Sequence, residues 1–503
     1  MSTPDVIIIG GGLAGLSAGI FARASGYSPL ILEHHTTVGG VCTAWKREDY
    51  LVDGCIHWLT GSRTGALREL YEQVGALEEN RLLPIFHFLR FVEESSGRTL
   101  DVTADLPALA RDLKALSPSD GAAVDELMRS VENIRHLPSG PEEVQHDNHA
   151  LRKLWGLRHT FLEVFHNRLP VSEYAQRFSD PFVRTCLENL FLPDIPTAGM
   201  MYMLAQLGDD QFSVVEGGSL RFATAMERKY LRLGGRVLFN ATVEEILTEN
   251  DRAVGVRLED GRMIRARNVI SAADGYTTIF RMLGGRYVDD EIHERYAQGR
   301  LFDPILLITC GLEALPPDGP SAHLLLLRAP LRIHNREVSH LHVRTFSHDP
   351  TLAPPGHSVM QVMVPTEFDW WMELHHDAKH YAQEKDRVAR QVVEAVARVL
   401  PLPTDKVGML DVATPYTYWR YTRNHRGAFE GWLPSMRMFT GGYEKTLPGL
   451  DNFFMAGQWV EPGGGIPTVL MSGREAVHLM CKRDGLALRA PDVTETTELN
   501  ART

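Results

Sequence analysis

An α/β fold class follows from three observations in this sequence of 503 residues. The first is a glycine-rich turn set between an apolar run and a run of small residues, "VIIIGGGLAGLSAGIFARASGYSPLILEHH" from Val6 to His35. The second is a block of short alternating runs with hairpin turns at Glu249 to Asp251 and at Asp260-Gly261. The third is a closing strand, loop and helix in "DNFFMAGQWVEPGGGIPTVLMSGREAVHLM". Together they predict a nucleotide-binding domain assembled from separated segments, with a mixed α+β substrate domain and a helical insertion between them.

The opening stretch reads strand, turn, helix, strand. Val6 to Ile9 form a buried strand, Gly10, Gly12 and Gly15 provide the turn, and a helix begins at Leu13 and Ala14. This is the Rossmann-type unit that places a pyrophosphate on a helix N-terminus. Glu33 lies 18 residues after Gly15 at the end of the second strand. A carboxylate there accepts hydrogen bonds from a ribose 2′-OH and selects against a 2′-phosphate. The turn alone does not choose between dinucleotides.

From residue 62 to 208 the pattern turns helical and amphipathic, as in "LRKLWGLRHTFLEVFHNRL" from Leu151. Residues 1–61 and 209–285 then read as two segments of the nucleotide-binding domain, 286–410 as an antiparallel-sheet substrate domain, and 411–503 as the return to the first domain. A long helix is expected from about Asp377 to Leu400. No internal repeat or low-complexity segment interrupts this order.

Composition narrows the function classes. With 44% hydrophobic and 23% charged residues the chain is long enough for two or three domains with cores of their own. Its 52 basic and 64 acidic residues give a net charge of −12, which disfavours non-specific binding to nucleic acid. Five cysteines with no CxxC spacing argue against a redox dithiol, a zinc ribbon or a disulfide framework. Asp5 stands where a signal peptide needs positive charge, and no charge-free apolar run approaches the ~20 residues of a membrane span. The expected compartment is the cytoplasm, with peripheral contact with a membrane left open.

Two further segments decide the cofactor. No second GxGxxG unit follows Ser62, so one dinucleotide is expected. "VGGVCTAWKREDYLVDGCIHW", with Gly40 and Val41, resembles the second flavin-contacting loop of the phytoene desaturase, carotenoid isomerase and retinol saturase family of FAD enzymes. "FFMAGQWVEPGGGIPTVLMSGREA", with Gly457, Gly464, Gly465, Ile466 and Pro467, resembles that family's C-terminal flavin motif. "DPTLAPPGH" and "ATPYTYWRYTRNHRGAFEGW" extend the likeness along the chain, which is weakest from Ser62 to Gly208. Independently of the resemblance, glycines 463 to 465 let backbone approach a ligand, and Pro467 suits the first turn of a helix whose N–H groups meet negative charge. The resemblance implies FAD, with Val243 stacked against the adenine. It also implies desaturation, saturation or redox-neutral isomerisation of C–C bonds in a long apolar polyene or isoprenoid-like substrate. The alternatives are a flavin amine or amino-acid oxidase and a non-catalytic flavin-binding partner protein.

Hydride exchange at a flavin leaves a proton to be moved by an acid, a base or solvent. His57, in "DGCIHW", is the titratable side chain tied to a flavin motif, as a proton-transfer group or as hydrogen-bonded scaffold. Asp53 is read as holding the loop through backbone hydrogen bonds. His376 with His380, and His340 with His342, lack a third ligand, so no metal is expected. Phe191 to Pro193, Met200 to Leu204, and Trp370-Trp371 line an apolar substrate tunnel or fill cores.

Overall fold

Val6–Ile9 is the middle strand of a five-stranded parallel sheet ordered Phe453–Met455, Asn268–Ser271, Val6–Ile9, Pro29–Leu32 and Arg236–Leu238. The four residues of Val6–Ile9 are all buried, as expected of a strand covered on both faces. The computed structural model describes residues 3–137, 158–313, 319–401, 407–439 and 442–493. Two helices, Leu13–Ala24 and Ile466–Asp484, cross on one face of this sheet. The Ser17 hydroxyl donates to Leu470 O at 2.7 Å, and a Cβ on Gly473 would stand 2.4 Å from Ala14 O. First and last segments of the chain are thereby locked into one body. The three-stranded antiparallel sheet of Val243–Glu249, Arg252–Leu258 and Met263–Arg265 lies beside it, with turns where the sequence places them.

A seven-stranded sheet forms the second layer system, ordered Val407–Ala413, Ile305–Leu312, Ser358–Pro365, Arg336–Thr345, Ala322–Ile333, His87–Glu93 and Thr99–Thr103. All of its pairings are antiparallel except that of Ala322–Ile333 with His87–Glu93. The helix Ala378–Val399 buries Val388, Ala389, Val392, Ala395 and Val396 against it, an apolar stripe at helical spacing.

The segment 62–208, expected as a helical insertion, departs from that expectation. Its strands His87–Glu93 and Thr99–Thr103 pair with the far sheet through His323↔Arg90 and Leu325↔Val92. The edge of Ala322–Ile333 would otherwise present unpaired backbone groups, and these two strands extend the ladder over it. The helices that follow, from Leu106–Leu116 to Thr197–Gly208, share one core with them around Phe91, Phe182, Leu204 and Phe212. Residues 151–157, the basic start of the expected amphipathic helix, lie outside the described residues; a helix is described from Arg158 to His166.

Candidate functional site

The helix Leu13–Ala24 starts from an extended Gly12 with φ −69° and ψ 179°. N–H groups of its first turn have no acceptor four residues back and are free to meet an anion. A Cβ on Gly12 would find only Gly39 O at 3.9 Å and Gly40 Cα at 4.0 Å. The protein leaves that space open, and a side chain would project into it. Gly10, with φ +96°, satisfies the turn itself. Gly15 has a different task, because a Cβ there would lie 2.0 Å from Gly10 O. It is absent from the cavity lining and seats the helix on the strand.

Glu33 ends the second strand and is 7% exposed. Its carboxylate accepts from Gly11 N at 2.6 Å and His35 N at 2.8 Å. A carboxylate has about four acceptor positions, so two remain for a ligand hydroxyl. Gly39 N–H donates to Gly11 O at 2.9 Å, which sets Gly40 and Val41 against the glycine turn. Gly457 follows the strand Phe453–Met455 and is held by its N–H on Ser472 Oγ at 2.7 Å. Gly464 (φ +54°) and Gly465 (φ +83°) then turn the chain into Ile466 and Pro467 at the start of the last helix.

Gly10, Gly12, Leu13, Ala14, Glu33, Gly40, Val41, Val243, Gly457, Gly464, Gly465, Ile466, Pro467 and His57 all line one cavity of about 1310 Å³. Drug-sized pockets run to roughly 1,000 Å³, so this cavity exceeds what one such ligand fills. The far part of the cavity is apolar. Trp58 packs at 5.2 Å from Phe88, 5.9 Å from Phe191 and 5.9 Å from Phe212 between ring centroids. Leu190, Leu192, Tyr202 and Met203 continue the wall, and Phe86, which also lines it, is 55% exposed and brings the cavity to the surface. Trp370 and Trp371 do not line it; Trp371 fills the core under the seven-stranded sheet.

Burial holds the His57 imidazole well below its usual value, with Arg344 and His342 adding to the effect, so the ring is neutral. Asp53 receives Ser219 N at 2.9 Å and fixes the loop as the sequence suggests. Three charged groups of the cavity carried no sequence signal strong enough to single them out. Glu430, on the loop after Gly427, lines the cavity, its carboxylate has no hydrogen-bond partner among the described residues, and burial pushes it up to about 7. Asp274 accepts from Thr277 N and His425 N, each at 2.7 Å, and burial raises it to about 6. Arg344 lies two residues from His342 on one face of Arg336–Thr345; that alternation in "HVRTF" was the available clue.

The chain matches the family model described as flavin containing amine oxidoreductase over residues 13–281 and 332–481. It is 24% identical to prolycopene isomerase 1, chloroplastic, from an Oncidium hybrid cultivar, covering 97% of this chain and 85% of that one. It is also 24% identical to a lycopene-forming phytoene desaturase from Paracoccus sp. (strain N81106 / MBIC 01143), covering 94% and 96%. Among solved structures, an oxidoreductase from Methanosarcina mazei superposes with a TM-score of 0.64 at 16% identity over 94% of this chain and 99% of that one. A putrescine oxidase bound to putrescine gives 0.61 at 17% identity over 95% and 99%.

Proposed function

The chain belongs to the flavin containing amine oxidoreductase family, and from that premise we propose that it is an FAD enzyme acting on C–C bonds of a long apolar polyene or isoprenoid-like substrate. One observation carries the substrate class: the aromatic and aliphatic wall built on Trp58, Phe88 and Phe191 is continuous with the dinucleotide cradle in a single cavity. Relatives named phytoene desaturase and prolycopene isomerase support the same class.

The residues fit FAD. Open space over Gly12 and the free N–H groups of Leu13 and Ala14 suit the pyrophosphate, and the spare acceptor positions of Glu33 suit the ribose. Val243 is assigned to the adenine, and Gly464 to Pro467 to the flavin end. In this reading residues 1–61, 209–285 and 411–503 hold the cofactor, while 62–208 and 286–410 enclose the substrate. Bound FAD supplies two-electron hydride exchange with a substrate C–H. The chain's own task is the proton. In a desaturation, His57 or the Glu430 carboxylate would take the proton whose C–H electron pair becomes the new π bond, the complement of the hydride exchange that bound FAD would supply. Saturation runs the same transfers in reverse.

Peripheral contact with a membrane goes with such a substrate. Among the described residues no helix is long and apolar enough to cross a membrane. Leu162 and Phe165 on the helix Arg158–His166 are 64% and 63% exposed, and Leu169 just beyond its end is 49% exposed, so three apolar side chains are offered to the outside.

Anaerobic mixing of the FAD-loaded protein with phytoene or prolycopene tests the reading. Bleaching of the flavin, or product formed without net bleaching in an isomerisation, is expected. Peroxide formed with amines in air, and no change with any polyene, would replace it with the oxidase reading.

A further inference from the structure

Arg344 is a cation placed at the end of an apolar wall. It sits in the strand Arg336–Thr345, opposite Ala322 on one side and Gln361 on the other, and lines the cavity. One guanidinium nitrogen, Nη2, donates to Ile56 O at 3.2 Å and His57 O at 3.4 Å, and the plane lies 4.8 Å over Phe346. Among the described residues no carboxylate forms an ion pair with it, and its Nε and Nη1 have no acceptor. Arg344 is half-buried, so the donors it does not use inside the protein are open to the cavity and to a ligand acceptor there.

The carbonyl that Arg344 holds belongs to His57, and the next residue is Trp58, the centre of the aromatic wall. The aromatic wall and Arg344 line the same cavity, so a ligand lying along the wall shares that space with the guanidinium. Among the neighbouring titratable groups the histidines add no positive charge to that of Arg344, and Asp53 is the one carboxylate whose field reaches it. Burial lowers Arg344 only to about 10, whereas it holds His342 at about 3 and His323 at about 4, both neutral. Asp53 accepts from Ser219 N at 2.9 Å and makes no direct ion pair with Arg344 among the described residues, so the edge of the guanidinium that faces the cavity is left to a ligand. A single planar cation matches a monoanion with two coplanar oxygens, and lacks the charge to compensate a diphosphate.

Resting on the function proposed above, we infer that the substrate is an apolar chain ending in a carboxylate, and that Arg344 binds this carboxylate through Nε and Nη1. This narrows a hydrocarbon or alcohol class to a polyene or isoprenoid acid and fixes which end of the molecule lies deepest. It also sets the reach from the anchored end to the reacting C–C bond.

Titration of the FAD-loaded protein with retinoic acid, retinol and geranylgeranyl diphosphate, followed by the absorbance of bound flavin and by tryptophan fluorescence, tests this directly. Retinoic acid is expected to bind about tenfold or more tightly than retinol, the effect of one charge-assisted pair. Arg344→Gln should abolish that preference and Arg344→Lys should keep part of it, with the flavin spectrum confirming each variant's fold. Equal binding of acid and alcohol, or an acid preference that survives Arg344→Gln, overturns the role of Arg344 and leaves the apolar-cavity reading standing. Preference for the diphosphate overturns the choice of carboxylate. Failure of all three probes to bind a protein that retains its flavin overturns both readings together.

Discussion

Glu430 packs so closely on Gly464 that a side chain there would place its Cβ 2.6 Å from the Glu430 carbonyl oxygen and 3.0 Å from the Glu430 Cβ. The glycine loop that opens the last helix is thus built around a carboxyl-bearing residue. Loop position is fixed by Phe302 N on Gly431 O at 3.0 Å and Gly463 N on Trp432 O at 2.8 Å. Charged groups on the packed elements are satisfied elsewhere: Glu461 by Lys445, Arg300 by Asp194, and Asp274 by backbone N–H groups. Burial alone raises Glu430 to about 7.

Two proton acceptors therefore predict two pH profiles for flavin reduction by substrate. His57 is neutral across the range because its value lies well below 6.5, so a His57-dependent step is flat above pH 6. A Glu430-dependent step rises through about pH 7 as the carboxyl ionises. Glu430→Gln is expected to remove that rise and lower the plateau by roughly 10²-fold, in the range of general-base effects. Stopped-flow measurement from pH 5 to 9 decides; a rise that persists in Glu430→Gln excludes the residue.

The same group makes a stability prediction. Glu430 titrates higher in the folded chain than in an unfolded one, so the protonated form favours folding. That contribution is complete below the ordinary carboxylate range and is lost as pH rises through about 7. Wild type should therefore lose stability relative to Glu430→Gln between pH 5 and 8, by on the order of 2 kcal/mol. Thermal unfolding of the two holoproteins at several pH values reads the difference; parallel curves would contradict it.

Gly12 and Gly15 should fail in different ways. Gly12→Val has room in the protein but fills the space assigned to the pyrophosphate, so it should fold and lose FAD. Gly15→Val drives a side chain into Gly10 O and should reduce the folded yield itself. Glu33→Arg should weaken FAD about tenfold or more through loss of a charged hydrogen bond. Equilibrium dialysis with circular dichroism separates these outcomes, and full flavin occupancy in Gly12→Val or Glu33→Arg would displace the cofactor assignment.

What could be read from the sequence was what local chemistry encodes. The glycine turn, the hairpins at Asn250 and Gly261, and the helix stripe from Val388 to Val396 each follow from periodicity or turn residues within a short window. His87–Glu93 did not, because its stability comes from pairing with Ala322–Ile333 more than 200 positions away, and strand preference depends on such context. Arg344 and Glu430 escaped for a related reason. Each is an ordinary charged residue in the sequence, and becomes unusual only when folding sets it in the wall of a largely apolar cavity with no ion-pair partner among the described residues.

Membrane contact is the last prediction. The chain carries a net charge of −12, so electrostatic attraction to anionic lipid is not global, and among the described residues exposed apolar side chains offer the contact. Leu162 and Phe165 lie three residues apart on the helix Arg158–His166, Leu169 follows just past its end, and Arg168 covers the Phe165 ring at 4.5 Å, leaving its charge beside these apolar side chains. Phe86, at the surface end of the cavity, adds a further exposed ring. Full burial of one such side chain is worth about 1.5–3 kcal/mol, so Leu162→Glu with Phe165→Glu should reduce vesicle binding at least tenfold. Co-sedimentation with phosphatidylcholine vesicles, with and without phosphatidylserine, measures it, and flavin absorbance reports that the variant is intact. Equal recovery of both proteins in the supernatant would exclude the contact and assign substrate delivery to a carrier.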